Sequence, residues 1–229
     1  MRAFGNEAYN RYVDSFYTKK IIAYLVECSQ QMHSDCAKTG DFLPNDEDQI
    51  TDKLIEHYLW TTNPSVLEEL RFSPQPHVHY GLREKSGKNS FLGRSDIQVI
   101  RADHFGKPKA FFLVECKRID GTSTLNKLYV SDGVYRFFES QTDGEPKYPS
   151  YYKRNFMFGY VVKAIDVLQN VDEIAKFQKT LLEGVVAGNM LLIENNGPEH
   201  YVCECHYTAS EEPLDLVHLF FDFSTVMRC

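Results

Sequence analysis

The stretch Gly93–Lys117, GRSDIQVIRADHFGKPKAFFLVECK, constrains this chain more than any other. Two apolar runs of strand character, Ile97–Ala102 and Ala110–Cys116, flank a polar break that holds Gly106 and Pro108. Such a pattern predicts a hairpin. Asp96, Glu115 and Lys117 stand where apolar strands seldom carry charge. The midpoint between positions 96 and 115 falls between Phe105 and Gly106, in the middle of the break. An antiparallel hairpin centred there sets Asp96 opposite Glu115 on one side of the sheet. Lys117, two residues on, points the same way, and Cys116 points the other way. Like charges directly opposite each other are destabilising, so a bare carboxylate pair calls for a cation. A divalent metal is the simplest one.

A chain of 229 residues fits one domain with elaborations. With 43% hydrophobic and 25% charged residues it has the make-up of an ordinary globular protein. The formal net charge of -7 argues against holding bare duplex nucleic acid by general electrostatic attraction. It leaves room for metal-binding carboxylates, whose charge the ion cancels, or for a basic partner subunit. The six cysteines form no secreted-style framework, and the polar start Met1–Asn10 is not a signal sequence, so a reducing cytoplasm is expected. No apolar run approaches the ~18 residues of a membrane span.

Along the chain, apolar spacing predicts a tyrosine-rich helix from Asn6 to about Met32, then a loop from His33 to Pro44. A second helix starts at Asn45 or Asp46 and runs through EDQITDKLIEHYLW. At 100° per residue its apolar face is Ile50, Leu54, Ile55, Tyr58 and Leu59. Glu47 projects within that face and Glu56 away from it. A first-turn acid also favours the helix dipole, so Glu47 has an ordinary reading too, and Glu56 is the fallback if the helix is rotated. His77–Arg83 alternates as a strand, before a polar loop and the hairpin. After it come a helix Leu125–Glu139, a surface loop Ser140–Tyr151 and a compact strand Asn155–Lys163. A helix Ile165–Leu182 and strands near His200–Thr208 and Leu214–Ser224 complete a mixed α/β order.

At this point the chain resembles the PD-(D/E)XK nuclease superfamily, the restriction-endonuclease-like fold. The residues that carry the resemblance are Glu47 on a helix, Asp96 on a strand, Glu115-Cys116-Lys117 at the end of the next, and the helix–strand pair that follows. It covers roughly residues 45–165, leaving 1–44 as an N-terminal helical extension and 166–229 as added helix and strands. Ser95 stands where the family name has proline. The resemblance implies a helix, an antiparallel three-strand meander, a helix and a strand in a mixed sheet flanked by helices. It also implies Mg²⁺ or Mn²⁺ bound by Asp96, Glu115 and the Cys116 backbone carbonyl, with Glu47 joining through water or holding a second ion. Lys117 would orient the attacking water or help deprotonate it.

Other residues are weaker candidates. Gln98 shares the Asp96 face, and Lys127 and Arg136 follow the motif on a helix where a cation can reach a phosphate. A sheet-face hydrogen bond and a solvated helix face are the ordinary alternatives. Cys203, Cys205 and His206 form C-x-C-H, a conceivable zinc cluster without the usual C-x₂-C spacing; His77 and His79 share a strand face. Both sets read as structural. The expected function is metal-dependent hydrolysis of DNA phosphodiester bonds, as in restriction or phage defence, with a partner protein that delivers or opens the DNA. The tyrosine stripe of the first helix suits a homo-oligomer surface, although packing on its own domain is the expected use. The rivals are a catalytically inactive scaffold that binds nucleic acid or protein, and a zinc-stabilised interaction module.

Overall fold

The computed structural model describes residues 7–74, 96–104, 111–139, 148, 153–195, 198–209 and 212–228. The first element is a 33-residue helix, α1 (Glu7–Thr39). Ile21, Leu25, Cys28, Met32 and Cys36 recur at three- and four-residue steps and are all buried. The stripe therefore runs past Met32, and so does the helix. The loop expected from His33 begins only at Gly40, whose φ of +72° suits glycine and whose N–H reaches the Cys36 carbonyl at 3.0 Å. Tyr24, on the tyrosine stripe, is buried and donates its hydroxyl to the Leu59 carbonyl at 2.9 Å.

Helix α2 (Glu47–Leu54) is capped by Asp46, whose side chain accepts from Gln49 N–H at 3.0 Å. It continues as a π-helical turn, Ile55–Leu59. Ile50, Leu54, Ile55, Tyr58 and Leu59 are all buried, as the periodicity predicts. A short helix α3 (Pro64–Leu67) leads into strand β1 (Leu70–Pro74). The sequence of 61–76 reads as mixed, with Pro64 in a turn and a short helical segment at Val66–Leu70; the short helix is there but begins at Pro64, and Leu70 opens β1 instead. The strand expected at His77–Arg83 and the hairpin turn both lie outside the described residues.

Strands β2 (Ile97–Arg101) and β3 (Phe112–Ile119) pair antiparallel, and β2 also pairs antiparallel with β1. Helix α4 (Ser123–Ser131) crosses over to β4 (Arg154–Val161), which runs parallel to β3. Helix α5 (Val167–Leu181) precedes β5 (Val185–Ala187), β6 (Leu191–Asn195), β7 (His200–Ala209) and β8 (Glu212–Asp222). Together these strands form one mixed sheet of order β1-β2-β3-β4-β8-β7-β5, with β6 also on β7. Strands β3 and β4 are covered on both faces, which explains their near-continuous apolar sequence.

One core packs α1 and α2 on a sheet face that carries Val99, Val114, Cys116, Phe158 and Leu219. The other packs α4 and α5 on the face with Leu113, Met157, Val161, Leu216 and Phe220. Strand β8 lies directly beside β4, and α1 belongs to the first core. The described residues of the N-terminal helix and of the chain after α5 thus share the cores of the middle segment.

A buried polar chain ties the second layer to the sheet. Gln178 Nε2 donates to the Tyr207 hydroxyl at 2.7 Å, and that hydroxyl meets His218 Nε2 at 3.1 Å. His218 Nδ1 meets the Tyr129 hydroxyl at 2.9 Å. With Gln178 donating to it, the Tyr207 hydroxyl donates a hydrogen bond to Nε2, so neutral His218 carries its hydrogen on Nδ1. Burial pushes the His218 pKa down to about 3. The unfolded chain, titrating near 6.5, binds a proton that the folded one refuses. His218 therefore subtracts stability as pH falls below about 6.5, at about 1.4 kcal/mol per pH unit. Nitrogen-15 shifts of the ring are expected to show one unchanged Nδ1–H tautomer from pH 7 to pH 5.

Candidate active site

The β2–β3 register pairs Ile97 with Val114, Gln98 with Leu113 and Val99 with Phe112. One step outward, the same register sets Asp96 opposite Glu115, as the hairpin arithmetic requires. Asp96 lies just before β2, and its Oδ2 accepts the Cys116 N–H at 2.6 Å. The Cys116 side chain faces the α1/α2 core, while Glu115 and Lys117 face the α4/α5 side with Leu113. Strand β3 continues through Ile119, so Lys117 sits inside the strand and not at its end.

The Lys117 ammonium is the hub. Its Nζ lies 2.7 Å from Glu47 Oε1, 2.9 Å from Glu115 Oε1 and 2.8 Å from the Cys116 carbonyl oxygen. Three acceptors meet three N–H donors. Glu47 comes from the first turn of α2, in the layer against the opposite face, and its Oε2 also accepts the Arg118 N–H at 3.2 Å. Arg118 in turn donates to the backbone and side-chain oxygens of Asn45, which fixes the approach to α2. Glu56 is exposed on the π turn, so Glu47 and not Glu56 is the acid delivered by this helix.

Glu115 is fully buried and both its oxygens are engaged. Oε1 accepts from Lys117 and from Arg136 Nη1 at 2.7 Å; Oε2 accepts the Tyr148 hydroxyl at 2.6 Å. Arg136 is thus brought to the site, but to a carboxylate and not to an open phosphate position. It comes from a 3₁₀ turn, Val134–Phe137, because the helix expected to reach Glu139 stops at Ser131. Gly133 is the reason. A Cβ there would stand 2.4 Å from the Tyr129 carbonyl oxygen, 2.6 Å from Met157 Cε and 3.2 Å from Lys117 Cγ. The missing side chain lets the Lys117 stem pass beneath the turn. Gly133→Ala is expected to cost about 1–3 kcal/mol by overpacking, read as a lower urea midpoint at unchanged m-value.

Gln98 is half-buried on the Asp96 face, opposite Leu113. Lys127 lies elsewhere: its ammonium sits over the Phe177 ring of α5, 5.5 Å from the centroid. Cys203 and Cys205 are buried thiols, whereas His206 is exposed and meets Asp215 at 2.7 Å, so strand alternation splits the C-x-C-H set between two faces. His77 and His79 lie outside the described residues. Tyr148 is the site residue that sequence reasoning missed. It falls in the Gly- and Pro-bearing segment 140–151, where no periodicity marks one tyrosine over its neighbours.

Burial first, then the charge of Glu115, pushes the Asp96 pKa up to about 8. Burial also raises Glu115, against the pull of Lys117, Arg136 and the Tyr148 hydroxyl. Desolvation favours neutral Lys117, but Glu115, Asp96 and Glu47 outweigh it and hold the ammonium above the ordinary lysine range. Of the two buried acids, Asp96 has the weaker support and carries the proton. Its folded pKa lies above its unfolded value near 4, so the stability it contributes is full below pH 4 and lost as pH rises toward 8. Asp96→Asn is expected to remove that loss. Urea midpoints of wild type and variant at pH 5 and pH 8, without metal, measure it.

The oxygens of Asp96, Glu115, Glu47 and the Cys116 carbonyl form a hard donor set of the kind Mg²⁺ or Mn²⁺ takes. Three of them already surround a cation, the ammonium. In residue type the site fits a divalent ion. In arrangement it is closed around Lys117, and among the described residues no group of three His, Cys, Asp or Glu stands ready to hold a metal. No family model, curated protein or solved structure matches this chain. Among the described residues no helix is long and apolar enough to cross a membrane.

Proposed function

We propose that this chain is a metal-dependent nuclease of restriction-endonuclease-like fold that hydrolyses phosphodiester bonds in DNA. The observation that supports it most is the meeting of Glu47 from α2, Asp96 from just before β2, and Glu115 and Lys117 from β3 around one point. The order α2, β1–β3 meander, α4 and parallel β4 supports this reading, with β1 at Leu70–Pro74 and the strand expected at His77–Arg83 outside the described residues. The choice of DNA and a role in restriction or phage defence rest on the resemblance, and a cytoplasmic setting rests on the cysteine pattern.

A bound Mg²⁺ would supply charge for the phosphoryl oxygens and an activated water. Asp96, Glu115 and the Cys116 carbonyl are the groups that would hold it, with Glu47 beside them. Arg136 and Tyr148 orient Glu115. The Lys117 ammonium is then the group placed to orient the attacking water and to offset charge as the phosphorus is attacked. Given the net charge of -7, a partner protein that delivers or opens the DNA completes the proposal. Efficient degradation by the isolated chain at physiological salt would remove that partner.

One observation favours a second reading. Protein donors already engage both Glu115 oxygens, as a retired site locked by ion pairs would have it. A catalytically inactive scaffold binds DNA or protein through this fold without cutting. Labelled DNA incubated with Mg²⁺, then with excess chelator, separates the two. The nuclease cuts until the chelator arrives, and the scaffold shifts the DNA in a gel and leaves it whole.

A further inference from the structure

We infer that the Lys117 ammonium and a divalent ion compete for one cation position, so that the site loads only when the ammonium swings away. This rests on the nuclease reading. Glu47 Oε1, Glu115 Oε1 and the Cys116 carbonyl oxygen point at Nζ from 2.7, 2.9 and 2.8 Å. Carboxylate and backbone carbonyl oxygens are the donors a hard divalent ion takes, and here they converge on a monovalent one. An ion entering at these oxygens would meet the ammonium at its own position, and like charges cannot share it.

The neighbouring groups show what remains when the ammonium leaves. Glu115 Oε1 keeps Arg136 at 2.7 Å and Oε2 keeps the Tyr148 hydroxyl at 2.6 Å, so its carboxylate stays oriented without Lys117. Asp96 Oδ2 keeps the Cys116 N–H at 2.6 Å. Glu47 keeps the Arg118 N–H on its other oxygen. The oxygens form a cradle that its outer partners hold in place, with the ammonium as a movable plug. Lys117 then has two positions: in the cradle without metal, and displaced from it, toward the water it serves, with metal.

A plug that fills the cradle in nine of ten molecules weakens apparent metal affinity about tenfold. Removing its charge removes that competition. Calorimetric titration with Mn²⁺ at one fixed pH compares wild type, Lys117→Met and Lys117→Gln, with Asp96→Asn as control. Lys117→Gln keeps a hydrogen-bonding group against the carboxylates should the methionine variant fold poorly, and circular dichroism checks both. Both lysine variants are expected to bind Mn²⁺ about tenfold tighter than wild type, and Asp96→Asn more weakly. Equal or weaker binding by folded lysine variants overturns the competition while leaving a metal site in place. Absence of Mn²⁺ binding in all four chains overturns the nuclease reading with it.

Discussion

Glu115→Gln is expected to lower metal-supported DNA cleavage by about a thousandfold or more. The size follows from the number of roles one side chain holds. Glu115 is the fully buried acid on which Lys117, Arg136 and Tyr148 converge. An amide keeps the shape but offers one acceptor oxygen where the carboxylate offers two, and it lacks the charge that holds a divalent ion. Its NH₂ group would also face donors, the Tyr148 hydroxyl or the two cations. Loss of a single transition-state stabilising group commonly costs about 10²–10³ in rate, and loss of the ion that activates water adds to that. Single-turnover cleavage at saturating Mn²⁺ measures it. A fall of only a few-fold would remove Glu115 from the reaction.

The second large effect is on stability. Without metal, Lys117→Met is expected to destabilise the fold by about 3–5 kcal/mol, the usual cost of stripping one partner from a buried ion pair. Glu115 is fully buried, and Lys117 is the cation that also neutralises Glu47 beside it. In a domain of this size that corresponds to a melting temperature lower by roughly 10 °C. Divalent metal is expected to restore much of the loss, because it binds the folded state and supplies the missing charge. Thermal melts with and without Mn²⁺ read both parts. A Lys117→Met melting temperature equal to wild type without metal would mean that the ammonium does not support the carboxylates.

Much of this site was legible because a hairpin obeys arithmetic. Once Asp96 and Glu115 are placed symmetrically about a turn, strand alternation decides that Lys117 joins them and Cys116 does not, and the β2–β3 register agrees. Glu47 was legible through the apolar face of its own helix. Arg136 was visible only as a cation downstream. Its true partner depends on Gly133 ending α4 early and turning the chain back, and helix propensity does not reveal what a glycine must avoid. Tyr148 carries no local signal, since the Glu115 carboxylate it serves lies 33 positions away in sequence.

The fold shows the same division. Long amphipathic helices and the buried strands β3, β4, β7 and β8 declare themselves by periodicity or by apolar length. Strands β5 and β6 do not. They are short, and Leu191, Leu192 and Ile193 are largely exposed at the sheet edge, so no in–out alternation marks them. The central place of β8 beside β4 was likewise hidden, because the pairing joins residues some 60 apart and leaves no mark in either strand alone.

The most direct measurement places the wild-type chain beside Lys117→Ala on linear, circular and single-stranded DNA, with and without Mg²⁺ or Mn²⁺. Cleavage by the wild type is expected only when metal is present, with a loss of about a hundredfold or more in the variant. Metal-dependent cleavage that persists unchanged in Lys117→Ala would contradict the role given to Lys117.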